Sequence, residues 1–238
     1  MSNPIGWCDL TLNPLTGCTN FNTQHCGNYC YAARMAKRLA GRFGYPEDEP
    51  FRPTFHKDVL NKIGKIPGTG KRVFLNSMGD WFCEIRNEWV YEILDQIFEV
   101  LYDVPQHHFL VLTKRPERIM EVLHCRNLPP NLWLGVTVTC KADLWRISML
   151  KESIPSATKR FVSFEPLLGP VYQSGQMLGG VDWVIIGAQT GPGKVVPETR
   201  WLEDLFGAIP VSIPVYQKDN IQAISPVGNY KQFPEAML

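Results

Sequence analysis

No stretch of this 238-residue chain approaches the roughly 20 consecutive apolar residues that a bilayer-spanning helix needs, and Met1 to Asp9 lack the basic-then-apolar order of a secretory signal. The expectation is a cytoplasmic protein with no membrane partner. Surplus charge is missing too: 24 Lys and Arg stand against 23 Asp and Glu, a net +1. That removes the broad attraction by which strongly basic proteins hold duplex DNA or anionic lipid, so any contact with DNA has to come from a local patch. Repeats and low-complexity tracts are absent, and 45% hydrophobic with 20% charged residues is the composition of a folded chain, not a disordered one. The length suits a single domain over residues 1–238.

Cysteine is not scarce, but an even number of cysteines is. Cys8, Cys18, Cys26, Cys30, Cys83, Cys125 and Cys140 make seven, which in a reducing compartment argues against a disulfide framework and for metal or catalytic use.

Apolar, β-branched runs recur at Arg72–Asn76, His108–Thr113, Leu132–Val138, Arg160–Phe164, Asp182–Gly187 and Ile213–Gln217, with an earlier one around Asp9–Asn13. These read as buried strands. Between them, apolar residues fall three and four apart: Ala32, Met35, Ala36, Leu39 and Phe43; Trp89, Val90, Ile93, Leu94, Ile97, Phe98 and Leu101; Leu144, Ile147 and Met149; Trp201, Leu202, Leu205 and Phe206. These predict amphipathic helices, with Gly44 beyond the first, Pro116 opening a short one and Thr199 capping the last. Irregular chain is expected at Tyr45–Pro53, Ile66–Gly70 and Pro166–Gly180. Strand alternating with helix implies parallel strands joined by right-handed crossovers, hence a doubly wound sheet or a (β/α) barrel. About seven strands in this length suit a partial, partly open barrel at least as well as a closed eightfold one.

Ligands of such folds sit at the carboxyl ends of the strands. Those ends are polar here: Asn76, Ser77 and Asp80 after one run, Lys114 and Arg115 after the next, then Thr137 to Cys140, Glu165, Gln189 to Gly191, and Lys218 to Asn220. After the earliest run comes C-x7-C-x3-C, formed by Cys18, Cys26 and Cys30. Three thiols in one loop, the last at a helix start that lowers thiol pKa, point to zinc, Cu(I) or an iron–sulfur cluster. A closed zinc site needs a fourth ligand, for which Cys8 or His25 are available, whereas a three-cysteine cluster leaves one iron open.

The phrases Trp7–Cys18, Cys30–Ala32, Asn76–Asp80, Leu112–Pro116, Trp133–Val136, Phe161–Pro170 and Trp183–Gly187 resemble, in order, a phage-associated family of radical-SAM-type proteins of little assigned function, and more distantly the spore photoproduct lyase group. The resemblance implies an α/β fold, a radical-SAM-like partial (β/α) barrel of about six to seven parallel strands. It implies a [4Fe-4S] cluster on Cys18, Cys26 and Cys30, with S-adenosylmethionine chelating the open iron, and a one-electron reductant such as flavodoxin or ferredoxin. The spacing departs from the usual C-x3-C-x2-C.

By the same resemblance Asn76, Ser77 and Asp80 bind the cofactor's amino group or ribose, and Lys114 contacts the cofactor. Glu165 binds ribose hydroxyls or substrate, and Tyr31, like Tyr29, packs on cluster or cofactor. Cys140 and Cys83 are candidate hydrogen-atom donors. Arg34, Lys37, Arg38 and Arg42 form a basic helical face for phosphate, with Arg115 and Gln189 as further contacts. The implied function is a radical S-adenosylmethionine enzyme that modifies a nucleobase or nucleotide, as in phage DNA modification. The competing reading is a non-catalytic zinc- or iron–sulfur-binding accessory protein that binds nucleic acid or a protein partner.

Overall fold

The computed structural model describes residues 5–19, 26, 30–123, 126–171, 175–191 and 193–238. Seven parallel strands form one curled sheet, a half-barrel: β1 (Leu10–Thr11), β4 (Arg72–Phe74), β5 (His108–Thr113), β6 (Leu132–Thr137), β7 (Lys159–Phe164), β8 (Trp183–Ile186) and β9 (Val215–Gln217), in that spatial order. A small antiparallel pair, β2 (Leu15–Thr16) with β3 (Thr54–Phe55), lies apart from it. The helices are α1 (Tyr31–Leu39), α2 (Lys57–Ile63), α3 (Asn87–Asp103), α4 (Ile119–Leu123), α5 (Trp145–Ser153) and α6 (Thr199–Ala208). The fold is therefore the radical-SAM-like partial barrel that the resemblance implies.

The strands are apolar on both faces because both are covered. Val73, Phe109, Val111, Leu134, Val136, Val162, Phe164, Val184 and Ile186 point outward into a core shared with Val90, Ile93, Leu94, Ile97 and Leu101 of α3. Their neighbours Phe74, Leu110, Trp133, Phe161, Trp183, Ile185 and Tyr216 point into the half-barrel and form a second, largely aromatic cluster with Trp7. Gly135 on β6 lacks a side chain for a local reason: a Cβ there would stand 2.6 Å from the Phe161 ring. The last residues close the lower end. Phe233 stacks 5.6 Å from Trp183 and 5.3 Å from Tyr216, Arg72 lies 3.8 Å over its ring, and Met237 joins the same cluster. Backbone bonds from Gln217 to Tyr230 and from Gln232 to Val215 cover the open edge of β9.

Several expectations need correction. Phe43 is not on α1: the helix ends at Leu39, and Phe43 sits at φ 53 in the following turn, 80% exposed. Met35 faces solvent as well, so α1 buries only alanines, Ala32, Ala33 and Ala36. Thr199 is the first helical residue of α6, because Glu198 takes the extended capping conformation and no side chain caps. The β2–β3 pair and α2 went unpredicted, since two-residue strands and a seven-residue helix are too short to show a period. No helix among the described residues is long and apolar enough to cross a membrane.

Candidate functional site

The cysteine loop is fixed to the barrel by a contact between two glycines. Gly17 and Gly79 form a parallel bridge, in which Gly17 N–H donates to Met78 and Asp80 N–H to Gly17. A Cβ on Gly79 would lie 2.7 Å from the Gly17 carbonyl oxygen, and one on Gly17, which has φ +89, would lie 2.4 Å from the Arg52 carbonyl oxygen. Only glycine allows this approach. It sets Cys18, whose N–H bonds Phe51, directly beside the loop that follows β4.

That loop and the end of β5 are densely tied. Asn76 bonds the Leu112 backbone at both ends of its amide, at 2.7 and 2.9 Å. The Asp80 carboxylate accepts from the Thr113 hydroxyl (2.8 and 3.0 Å), Phe82 N–H (3.0 Å) and Lys114 N–H (3.1 Å). Ser77 donates to Asn13, which also accepts from Met78 N–H. The Ser77 carbonyl takes the Tyr31 hydroxyl from the start of α1.

These residues line one side of a cavity of about 520 Å³ at the carboxyl ends of the strands. Cys18, Cys26, Cys30 and Lys114 are on it as well. The Cys30 thiol is driven well below the ordinary thiol range, chiefly by a hydrogen bond from Cys26, then by the Ala33 and Ala32 amides at the α1 start and the nearby Lys114 charge. Cys26 moves the opposite way, held protonated as the donor and by burial.

The opposite side carries Thr137 of β6, Ser163 of β7, Glu165, Gln189 and Lys218. Lys218 donates to Glu165 in an ion pair whose side chains are only 16% and 22% exposed. Arg146 props the end of β6 from outside, donating to the Thr137 carbonyl at 2.8 Å and pairing with Asp143. The inner aromatic cluster, with Trp7 and Phe74, forms the floor, and Arg34 stands at the rim.

Asn76, Ser77, Asp80, Lys114, Glu165 and Tyr31 are thus brought together with Cys18, Cys26 and Cys30. The remaining cysteines are elsewhere. Cys8 is buried beneath, 3.9 Å from Thr11, its thiol pushed up to about 12 by burial. Cys83 is buried beside Cys18, which hydrogen-bonds it and lowers its pKa. Cys140, at the end of β6, is packed near Gly169 and does not line the cavity. Cys125, His25 and Tyr29 lie outside the described residues. Arg115 is engaged by Glu84 and Glu117 and does not line the cavity; Lys37 and Arg38 are exposed on α1 as expected, whereas Arg42, also exposed, lies beyond the helix end at Leu39 and is not part of a helical face. Thr137, singled out as a polar strand end, is on the cavity as expected, whereas sequence reasoning missed Trp7, Ser163 and the pairing of Lys218. Strand alternation was the available signal: Phe161, Ser163 and Glu165 share one face of β7 and its continuation.

The donor chemistry fits a thiolate-held group, since three thiols line the cavity and the Cys26 hydrogen bond, the α1 amides and Lys114 favour the thiolate form of Cys30. The thiols stand in two pairs, Cys26 with Cys30 and Cys18 with Cys83, and among the described residues no three metal-binding side chains are gathered closely enough to hold an ion. Holding a cluster on Cys18, Cys26 and Cys30 would take the proton of Cys18, leaving its thiolate an acceptor for Cys83.

The chain belongs to the family described as a protein of unknown function, DUF5131, which matches residues 2–211. No curated protein matches it. Its fold is shared with spore photoproduct lyase. A variant of that enzyme with bound AdoMet and dinucleoside spore photoproduct superposes with a TM-score of 0.53 at 12% identity, over 95% of this chain and 76% of that one. A variant with the dinucleoside spore photoproduct gives 0.52 at 12% identity and the same coverage.

Proposed function

We propose that this protein is a radical S-adenosylmethionine enzyme that holds a [4Fe-4S] cluster on Cys18, Cys26 and Cys30 and modifies a nucleobase or nucleotide. The observation that carries this reading is the cavity: three thiols, one of them acidified, at one end of a half-barrel pocket whose other polar groups come from successive strand ends. When bound, such a cluster supplies the electron that cleaves S-adenosylmethionine to a 5'-deoxyadenosyl radical.

The chain's own residues provide the setting. Lys114 puts a cation beside the thiols and so favours their anionic form and the carboxylate of an amino-acid moiety. Asp80 fixes the Lys114 backbone, and Asn76 joins β4 to β5 beneath it. Trp7 and Phe74 keep the floor dry, which strengthens every charge interaction above it. Arg34 at the rim, continuous with Lys37 and Arg38, offers phosphate contacts for a nucleotide or for DNA. A net charge of +1 favours a mononucleotide or an exposed base over intact duplex. The electron comes from an external donor of the flavodoxin or ferredoxin kind, and phage DNA modification is a setting that suits this chemistry.

The pairing of Cys18 with Cys83 favours one second reading, because Cys18, Cys26, Cys30 and Cys83 are the four thiols of a closed, non-catalytic zinc site. Anaerobic reconstitution with iron and sulfide, then dithionite and S-adenosylmethionine with assay for 5'-deoxyadenosine, decides between them. The expected result is brown protein that forms 5'-deoxyadenosine and loses its iron in Cys18→Ala, Cys26→Ala and Cys30→Ala but not in Cys83→Ala. Colourless protein with one zinc per chain, lost in Cys83→Ala, sinks the enzyme reading.

A further inference from the structure

Two polar side chains on the lining of the cavity have no partner among the described residues. Trp7 is 1% exposed and Ser163 is 0% exposed; neither the Trp7 Nε1 nor the Ser163 Oγ has a hydrogen-bond partner among the described residues, and both residues line the cavity. Local structure explains neither. Ser163 lies on the inner face of β7, opposite Thr137 of β6 and Ile185 of β8, in a row that needs no hydroxyl for its backbone pairing. Trp7 is held by its ring alone, 4.8 Å from Phe74 and 6.2 Å from both Phe161 and Trp183.

Buried polar atoms without partners are rare in folded proteins, because each forfeits its hydration, and two on the lining of one cavity point to a ligand that completes them. The chemistry of the pair narrows that ligand. An indole N–H only donates, so it must meet an acceptor, and a serine hydroxyl adapts to either role. The acceptor is not an anion: the floor is aromatic, and the cation on this wall, Lys218, is already paired with Glu165. A carboxylate or phosphate seated there would lose its hydration without a free countercharge. A flat, neutral ring bearing an exocyclic carbonyl meets every condition, stacking on the aromatic floor while its oxygen, which has two lone pairs, accepts from both Trp7 and Ser163; each ring nitrogen of adenine has one lone pair and answers only one of them.

We propose that Trp7 and Ser163 form a carbonyl-reading floor that selects substrates bearing an oxo-substituted base, a pyrimidine or an oxopurine, over adenine. The assignment deepens the nucleobase reading above and rests on it. It also separates the substrate from the adenine of S-adenosylmethionine, which has no carbonyl.

Binding of thymidine, guanosine, adenosine and S-adenosylmethionine to the full chain, by calorimetry, tests this in the parent, Trp7→Phe and Ser163→Ala, with thermal unfolding of each. Trp7→Phe keeps an aromatic ring and removes only the donor. The expected result is that thymidine or guanosine binds the parent more tightly than adenosine, and that each variant weakens the oxo-base by about five- to thirtyfold. Adenosine and S-adenosylmethionine affinities stay within about twofold, and the melting temperatures do not fall. Unchanged oxo-base affinity in both variants, with a lowered melting temperature, means that the two groups serve a buried structural water; that overturns this proposal and leaves the nucleobase reading standing. If no nucleoside binds but nicotinamide or riboflavin does, and Trp7→Phe weakens it, the carbonyl-reading floor stands and the nucleobase reading falls. Binding of none of these overturns both.

Discussion

On the β4–β5 side of the cavity Asn76 is bonded twice to the Leu112 backbone and Asp80 accepts from three groups, so these polar side chains hold strand ends and loops in place. On the β7–β9 side Ser163 has no partner among the described residues, and Glu165 and Lys218 hold each other instead of the backbone. Similar residue types thus have two employments around one cavity. The first wall is a scaffold that presents the thiols and Lys114; the second is available to a ligand. Removing a group that is bonded, such as Asn76 on the first wall, should therefore lower stability, whereas removing the unpartnered Ser163 hydroxyl on the second should change binding.

The largest effect is expected where the scaffold has no room. Gly79→Ala puts a methyl group 2.7 Å from the Gly17 carbonyl oxygen, and backbone, unlike a side-chain tip, has little freedom to move away. A loss of about 2 to 4 kcal/mol, or roughly 5 to 15 °C in melting temperature, should follow. Gly207→Ala, in α6 with nothing within 4 Å, is the control and should be neutral or stabilising by up to about 1 kcal/mol. Equal losses in the two would show that the glycine contact does not hold the cysteine loop.

Asn76→Leu should cost about 2 to 3 kcal/mol in urea unfolding, because it leaves the Leu112 N–H and C=O unpaired in a buried place. Ser163→Ala removes a hydroxyl that bonds nothing described and should stay within about 0.5 kcal/mol of the parent or exceed it. If Ser163→Ala proved the more damaging, the division of the walls would be reversed.

The ion pair on the second wall has an intermediate expectation. Glu165→Gln leaves the Lys218 ammonium short of a countercharge and should cost about 1 to 3 kcal/mol. In the double variant with Lys218→Met the loss should be smaller than the sum by about 1 to 2 kcal/mol. Additive losses would mean that the pair is not formed in solution.

How much of this was legible beforehand follows from period and distance. The strands and α3 were readable because their apolar residues repeat every two or every 3.6 positions, and the polar strand ends followed once parallel topology was inferred. Cys18, Cys26, Cys30, Asn76, Asp80, Lys114 and Glu165 were found by that route. The neighbour of Cys18 was not: Cys83 reaches it through the Gly17–Gly79 bridge, and a contact between residues so distant in the chain leaves no periodic trace. Trp7 was hidden for a similar reason, since its place on the floor depends on Phe74, Phe161 and Trp183 arriving from three strands. The Asn76 and Asp80 side chains suit both employments by type, and their bonds to Leu112, Thr113, Phe82 and Lys114, which show the first, left no trace in the sequence.

The smallest effect concerns the outer end of the scaffold wall, where β1 joins β4. The Asp9 carboxylate accepts from the Arg72 guanidinium at 2.8 and 2.9 Å and from its backbone N–H at 2.8 Å, and these bonds hold its pKa below the ordinary carboxylate value. A carboxyl more acidic in the folded than in the unfolded chain stabilises the fold at pH values above its unfolded pKa of about 4, and that contribution disappears as the pH falls through the folded value. Asp9→Asn removes the charge and keeps one of the two acceptor oxygens. Because the pair is partly open to solvent, with side chains 19% and 31% exposed, the variant should lose only about 1 kcal/mol at pH 7. The gap between parent and variant should narrow at pH 3 and close further toward pH 2, and at pH 7 about 0.5 M salt should shrink it in part. Comparing parent and variant at each pH cancels the titration of every other group. A gap independent of pH would mean that Asp9 joins the two strands as a neutral hydrogen-bond acceptor, and that charge has no part in fixing this edge of the scaffold.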